Sequence, residues 1–495
     1  MPREFFEDLC KPSHPPIYKI FINGRWVLSR TGKMTDVISP LDGSVVGKIQ
    51  VVDNTEIDEA IKIAHREQKT WEDIPLIKRV KILHLAADWL REHEHYLSVL
   101  LIKEIGKTVA EAKDEVVRSA DMIDYFANEA LNLRGEELSG DAFPGYDKDK
   151  LALVERVPLG VILAIAPFNY PVNLSVSKIA PALALGNAVI FKPATQGSIS
   201  ALHMIEAFHK AGVPAGVLSA LTGGGEEIGN YLVTHPGIDQ ISFTGSSDVG
   251  KEIATKAGMI PLLFECGGNN PALVLSDADL DLTSTEIVKG AFSYSGQRCT
   301  AIKYVLGLAP TIDALIPMVL DKTKKLIKMG DPRKEEMNLG PVISENAAIN
   351  IEKRIVDAEE KGGEILTGGK REGYYIEPTV IDFGDKLPSV DLVKKETFGP
   401  VVSFIRVQNI ADALEFINSS TYGLQASVFT KDEGTGIKVG QQINVGSVQL
   451  NNKPQRGPDH FPFLGIKSSG VGVQGIRYAL EAYTRYKSIV FNKPQ

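Results

Sequence analysis

Short apolar alternations open the chain. Tyr18-Lys19-Ile20-Phe21-Ile22 and Arg25-Trp26-Val27 flank Asn23-Gly24. That dipeptide suits a two-residue hairpin, whose central residues take positive φ, so a β-rich entry is predicted. From Asn54 the period lengthens. Ile57, Ala60, Ile61 and Ala64 share one helical face, with Asn54 or Thr55 available to cap the first turn. Helical patterning returns over 78–101 and 108–126, and 135–150 is a Gly-, Asp- and Lys-rich excursion from the core. Apolar strands at 161–166, 188–191, 217–221 and 241–243 then alternate with helical stretches at 179–185 and 198–210, which predicts a parallel, doubly wound sheet. The rhythm restarts near Glu265 and runs to Gln449 as a second α/β unit. The terminal Ser488-Ile489-Val490-Phe491 is an apolar strand with no hairpin partner beside it, an edge expected to pair with another subunit.

Composition narrows the classes. A chain of 495 residues is too long for one core, so two or three domains are expected. Hydrophobic content of 43% and charged content of 23% describe a soluble globular protein. A net charge of −8 without a long basic run argues against nucleic acid as a partner, and an anionic substrate would need a local arginine cluster. The three cysteines, Cys10, Cys266 and Cys299, make no disulfide framework and fit a reducing compartment. No apolar run reaches the ~18 residues that cross a membrane. The acidic Met1-Pro2-Arg3-Glu4-Phe5-Phe6-Glu7-Asp8 is unlike a signal peptide, so the cytoplasm is the expected location.

Two segments carry the candidate chemistry. In Gly296-Gln297-Arg298-Cys299-Thr300 a thiol stands beside an arginine among small and polar residues, a setting expected to leave it accessible and to support its thiolate. In Phe264-Glu265-Cys266-Gly267-Gly268 a carboxylate follows the apolar Pro261-Leu262-Leu263. Burial there would raise its pKa into a range useful for a base. Cys266 reads as structural and Cys10 as uninvolved. Asn169, between Pro167 and Pro171, is either a turn former or, with the Cys299 backbone N–H, an oxyanion donor. Gly245-Ser-Ser-Asp-Val-Gly250 opens a helix after a strand and offers N–H groups to a pyrophosphate; Gly223-Gly224-Gly225 is a second such turn or a connector. No metal site is assigned.

Taken with Pro167-Phe168-Asn169-Tyr170-Pro171, Phe191-Lys192-Pro193, Phe243-Thr244-Gly245-Ser246 and Glu396-Thr397-Phe398-Gly399-Pro400, in that order, these segments make the chain resemble the aldehyde dehydrogenase superfamily over nearly its whole length. The resemblance implies a Rossmann-type cofactor domain (1–137 and 158–264, with 450–478 returning to it), an α/β catalytic domain (265–449) and a small β oligomerisation extension (138–157 and 479–495) in a homotetramer, a dimer of dimers. It implies that Cys299 attacks an aldehyde, that Asn169 holds the oxyanion, and that Glu265 activates the water that hydrolyses the thioester. Pro167, Phe168, Lys192, Thr195, Gly225, Gly245, Ser246, Glu396 and Phe398 would bind the cofactor. Thr195 stands where NAD-preferring relatives often carry a glutamate that repels a 2′-phosphate, so NADP is favoured, with NAD possible. Cys266 and Asn269 depart from the usual leucine and lysine.

Asn169-Tyr170-Pro171-Val172-Asn173, Gly296-Gln297-Arg298-Cys299 and Leu450-Asn451-Asn452-Lys453-Pro454-Gln455-Arg456-Gly457 look like the non-phosphorylating glyceraldehyde-3-phosphate dehydrogenases. That likeness implies a small phosphorylated aldehyde held by Arg118, Asn169, Tyr170, Arg298, Thr300 and Arg456, since arginine forks suit phosphate. The bland reading of Arg118 is the solvated face of a helix. Other readings are an aldehyde dehydrogenase for another short anionic aldehyde such as a semialdehyde, a CoA-dependent acylating enzyme, and a non-catalytic scaffold that kept the fold.

Overall fold

The computed structural model describes residues 8–492; the acidic stretch 1–7 and the last residues of the expected extension, 493–495, lie outside the described residues. An eight-stranded sheet runs Gly470–Val471, Leu262–Glu265, Gln240–Thr244, Val161–Ile165, Ala188–Lys192, Leu218–Ala220, Ile20–Ile22 and Arg25–Val27. The strands from Leu262–Glu265 to Leu218–Ala220 are parallel; the flanking ones are antiparallel. Val161, Leu163 and Ile190 pack into one apolar cluster and Ile162, Val189 and Phe191 into another, so the central strands are apolar on both faces and need cover on both. The entry hairpin forms as expected, with Asn23 at φ 51° and Gly24 at φ 70°.

A second, seven-stranded sheet runs Glu364–Thr367, Thr379–Asp382, Val401–Val407, Ile302–Leu308, Asn270–Val274, Gln425–Phe429 and Ser447–Leu450. A third sheet joins Thr484–Asn492, Lys150–Pro158 and Glu136–Ser139. The terminal strand finds one partner within the chain, in register from Thr484 opposite Pro158 to Asn492 opposite Lys150, and its other side is an edge of the sheet. The match is made by residues 325 or more positions away, which no local pattern announces.

Helix α1 (Asn54–Asp73) buries Ile57, Ala60, Ile61 and Ala64, but its cap is Asp53: this carboxylate accepts from Glu56 N, and Glu56 accepts in return from Asp53 N. The single helix expected over 78–101 is two, α2 (Leu76–Glu92) and α3 (Glu94–Ile105), because His93 leaves the helical conformation at ψ 15°. Thr108 caps α4 (Val109–Ala130), which packs between α2 and α5 (Asn173–Ala184). Among the described residues no helix is long and apolar enough to cross a membrane.

This layout places the candidate chemistry. Lys192, Thr244 and Glu265 each end a parallel strand, and Pro167-Phe168-Asn169 follow the end of Val161–Ile165. They share the carboxyl-end crevice where open α/β sheets bind ligands. Cys299 comes from the other unit, just before Ile302–Leu308.

Candidate active site

A cavity of about 730 Å³ covers that crevice. Pro167, Phe168, Lys192, Gly225, Gly245, Ser246, Glu396 and Phe398 line it, together with Asn169 and Cys299. Thr195 does not. The chain leaves the wall after Ala194, and the Thr195 carbonyl accepts from Ser198 Oγ (2.7 Å) at the start of the helix Ser198–Lys210. Glu226, Glu252 and Lys256 line the cavity and were not anticipated, since nothing in the local sequence separates them from surface charges. The wall is tight at two glycines: a Cβ on Gly267 would strike the Glu396 carboxylate, and one on Gly245 would lie 2.5 Å from the Phe243 ring. Gly245 N–H is already donated to Glu265 O (3.2 Å), and Ser246 Oγ caps the helix Ser247–Lys256 by accepting from Val249 N (3.3 Å). Lys192 Nζ is buried with the Pro193 carbonyl 3.3 Å away, and burial pulls its pKa down to about 8.

Cys299 follows a left-handed turn, with Tyr294 at φ 50°, Ser295 at 51° and Gly296 at 67°. Hydrogen bonds hold this strained backbone. Ser295 Oγ donates to Gly340 O (2.7 Å), Gln297 Oε1 accepts from Ile343 N (2.8 Å), and Asn270 Nδ2 donates to Cys299 O (2.8 Å). Buried Lys303 donates to Gly296 O (2.9 Å) and Gly399 O (3.5 Å), tying the turn before Cys299 to the segment that carries Glu396 and Phe398. The Glu396 carboxylate accepts from Gly268 N (3.0 Å), and burial raises its pKa.

The expected support of a Cys299 thiolate by Arg298 fails. The half-buried thiol is pushed up to about 12, first by burial and then by the charges of Glu265 and Glu396. Arg456 and Arg298 pull the other way with less effect. Arg298 Nη2 instead donates to Gly290 O (2.8 Å), while its buried Nε has no partner. Cys266 is buried with its sulfur against Gly250, yet it also lines the cavity.

Asn169 is buried in the cavity wall and its Nδ2 donates to Gln297 O (3.0 Å), which ties its amide to the segment that carries Cys299. Thr300 is buried next to Cys299. Glu265 is buried as anticipated, with both oxygens engaged. Oε1 accepts from Arg456 Nη1 (2.5 Å) and Oε2 from Thr244 Oγ1 (3.2 Å), to which Lys178 Nζ donates (2.6 Å). Lys178, fully buried, is pulled down to about 8. Sequence reasoning missed Lys178 and Gln474; Thr244 lay in a noticed motif without a role.

Arg118 is no solvated face. Its guanidinium donates to both oxygens of Asp459 (2.7 and 2.8 Å) and to Arg456 O (2.6 Å). Tyr170 lies within electrostatic reach of Arg118 and Arg298. Arg298 and Arg456 act electrostatically on Cys299 and Arg118 joins them through Asp459 and Tyr170, while none of Arg118, Tyr170, Arg298 and Arg456 lines the cavity.

A model described as "Aldehyde dehydrogenase family" matches residues 26–489. The NADP-dependent glyceraldehyde-3-phosphate dehydrogenase of Pisum sativum is 45% identical over 97% of this chain and 96% of its own length. The protein of that name from Streptococcus equinus is 45% identical over 96% of this chain and 98% of its own. The crystal structure of NADP-dependent glyceraldehyde-3-phosphate dehydrogenase from Bacillus halodurans C-125, complexed with NADP, superposes with a TM-score of 0.94 at 47% identity, covering 96% of this chain and 99% of that one.

Proposed function

Because the chain belongs to the aldehyde dehydrogenase family, we propose that it oxidises D-glyceraldehyde 3-phosphate to 3-phosphoglycerate with NADP as the acceptor and without inorganic phosphate. The observation that supports the substrate is that Arg298 and Arg456 act on Cys299, with Arg118 bound to the Arg456 carbonyl, in a chain whose net charge is −8. Guanidinium groups paired with carboxylates that a phosphate can displace suit an anionic aldehyde, and the unpartnered Arg298 Nε is a further donor.

The Cys299 sulfur attacks the aldehyde carbon, and its proton passes to solvent as the C–S bond forms. Asn169 Nδ2 and the Cys299 N–H receive the oxyanion of the thiohemiacetal. NADP, when bound, supplies the hydride acceptor that turns this adduct into a thioester. The cavity suits it: Lys192 offers a buried cation for a 2′-phosphate, and the wall is closed to any side chain at Gly267 and Gly245. Glu396 and Phe398 would orient the nicotinamide end. Glu265 then takes a proton from the water that attacks the thioester, releasing 3-phosphoglycerate and the thiol.

Steady-state kinetics with glyceraldehyde 3-phosphate, glyceraldehyde and a semialdehyde, each with NADP and with NAD, tests this reading. It predicts the highest kcat/KM for the phosphorylated aldehyde with NADP. Equal values for phosphorylated and unphosphorylated glyceraldehyde, or a faster semialdehyde, would remove it. The reading includes a homotetramer in the cytoplasm, supported by the three-stranded sheet that leaves Leu138, Tyr486, Ile489, Val490 and Phe491 exposed. Light scattering of wild type against Ile489→Asp tests the assembly.

A further inference from the structure

We propose that Arg456 restrains the base Glu265 until a phosphate-bearing substrate draws the guanidinium away, so that thioester hydrolysis is fast only for phosphorylated aldehydes. This rests on the reading of Arg456 as a phosphate ligand and adds a second role to it.

The restraint is visible in the contacts. Arg456 Nη1 lies 2.5 Å from Glu265 Oε1, with the two side chains only 13% and 3% exposed. Thr244 Oγ1 holds the other oxygen. A carboxylate in that state is a poor general base, because its charge is neutralised and both oxygens are already accepting. The remaining contacts of Arg456 do not fix it to Glu265 alone. Nη2 donates to Gln474 Oε1 (2.8 Å), and Nε lies 3.6 Å from Asp459 Oδ1, the carboxylate that Arg118 grips. Arg118 also takes the Arg456 carbonyl, so the two guanidinium groups stand together. In this cluster two cations, Arg118 and Arg456, balance two anions, Asp459 and Glu265. A phosphate dianion breaks that balance and competes with Glu265 for Arg456.

Release leaves no orphaned charge. Lys178 remains behind Thr244, whose hydroxyl still donates to Glu265 Oε2. The freed Oε1 then accepts a proton from the attacking water. The water oxygen forms the new C–O bond, the C–S bond breaks, and the sulfur leaves as thiolate and is reprotonated, with the carboxylic acid as product. Unphosphorylated glyceraldehyde offers nothing to Arg456, so its thioester waits on Cys299.

Rapid mixing of the wild-type enzyme and NADP with D-glyceraldehyde should show a burst of NADPH and a slow steady state. Adding inorganic phosphite should raise the steady-state rate on the order of 10-fold while leaving the burst amplitude unchanged. Arg456→Ala should turn over glyceraldehyde faster than wild type, ignore phosphite, and lose about 10- to 100-fold in kcat/KM for glyceraldehyde 3-phosphate. No phosphite response in wild type and no gain of Arg456→Ala on glyceraldehyde would overturn the restraint, even with the loss on the phosphorylated substrate intact. Equal losses on both aldehydes would remove the phosphate role as well. Should the variant fail to fold, the wild-type phosphite arm decides.

Discussion

Lys107 and Glu115 form an ion pair from which water is wholly excluded. Its second contacts point at the site. Glu115 Oε1 accepts from Val172 N (2.9 Å) and Asn173 N (3.1 Å), just after the loop that carries Asn169 and Tyr170. Lys107 Nζ lies 3.5 Å from the centre of the Tyr170 ring, and Tyr170 meets Tyr294 edge to face at 5.9 Å. The N-terminal half of α4 thus fixes the loop that carries Asn169, and through Glu111 Oε1, which accepts from Tyr294 N (2.7 Å), the turn before Cys299 as well.

Lys107→Met strands a carboxylate in a dry interior and should cost about 3–5 kcal/mol of stability. Denaturant unfolding measures it. Lys107→Met with Glu115→Gln should recover part of the loss, because the uncompensated charge is gone. A wild-type midpoint for the single variant would mean that the pair carries no charge.

Cys299→Ala should abolish turnover and leave NADP binding, followed by nucleotide fluorescence, nearly unchanged. In the free wild-type enzyme a thiol near pKa 12 is ionised in roughly one molecule in ten thousand at pH 8. Alkylation by iodoacetamide should therefore be slow there and climb with pH beyond 10. Fast labelling at pH 7 would contradict the burial argument, and loss of turnover in Cys266→Ala but not Cys299→Ala would exchange their roles.

Glu265→Gln should slow hydrolysis of the thioester by roughly 10²–10⁴-fold. The expected trace with glyceraldehyde 3-phosphate is a full burst of NADPH followed by a very slow phase. Without a burst, the carboxylate is needed for acylation too.

Lys192 carries a pH signature. Burial lowers its pKa from 10.5 to about 8, so the cation is present below pH 8 and lost as pH rises through that value. The ratio of kcat/KM for NADP to that for NAD should fall above pH 8, and Lys192→Met should flatten it. Thr195→Glu should turn preference towards NAD only if its longer side chain reaches a cavity that Thr195 does not line. An unchanged ratio would leave Lys192 in control.

Local pattern carried much of the fold. Periodicity placed the helix Ser198–Lys210 to the residue, and alternation placed the strands that end at Lys192 and Thr244. Ordered motifs singled out Cys299 and Asn169, which share one cavity, and Glu265, which ends a strand beside it. What pattern missed depends on partners far away in the chain. Arg298 beside Cys299 suggested a thiolate, but its side chain turns to Gly290 and burial dominates. Arg456 was read for its charge alone, while its ion pair with Glu265 spans 191 positions. His93 broke an expected helix by a backbone turn that apolar spacing cannot register.

That span of 191 positions has a consequence for biosynthesis. Ribosomes add about 5–20 residues per second, so roughly 10–40 s pass between the emergence of Glu265 and that of its cation. The sheet edge beside Glu265 waits longer still, for Gly470–Val471. During that interval a nascent chain already displays the thiol of Cys299 but lacks the completed pocket around its base. A chain that ends before residue 456 therefore leaves Glu265 without its cation and the strand Leu262–Glu265 without its edge partner.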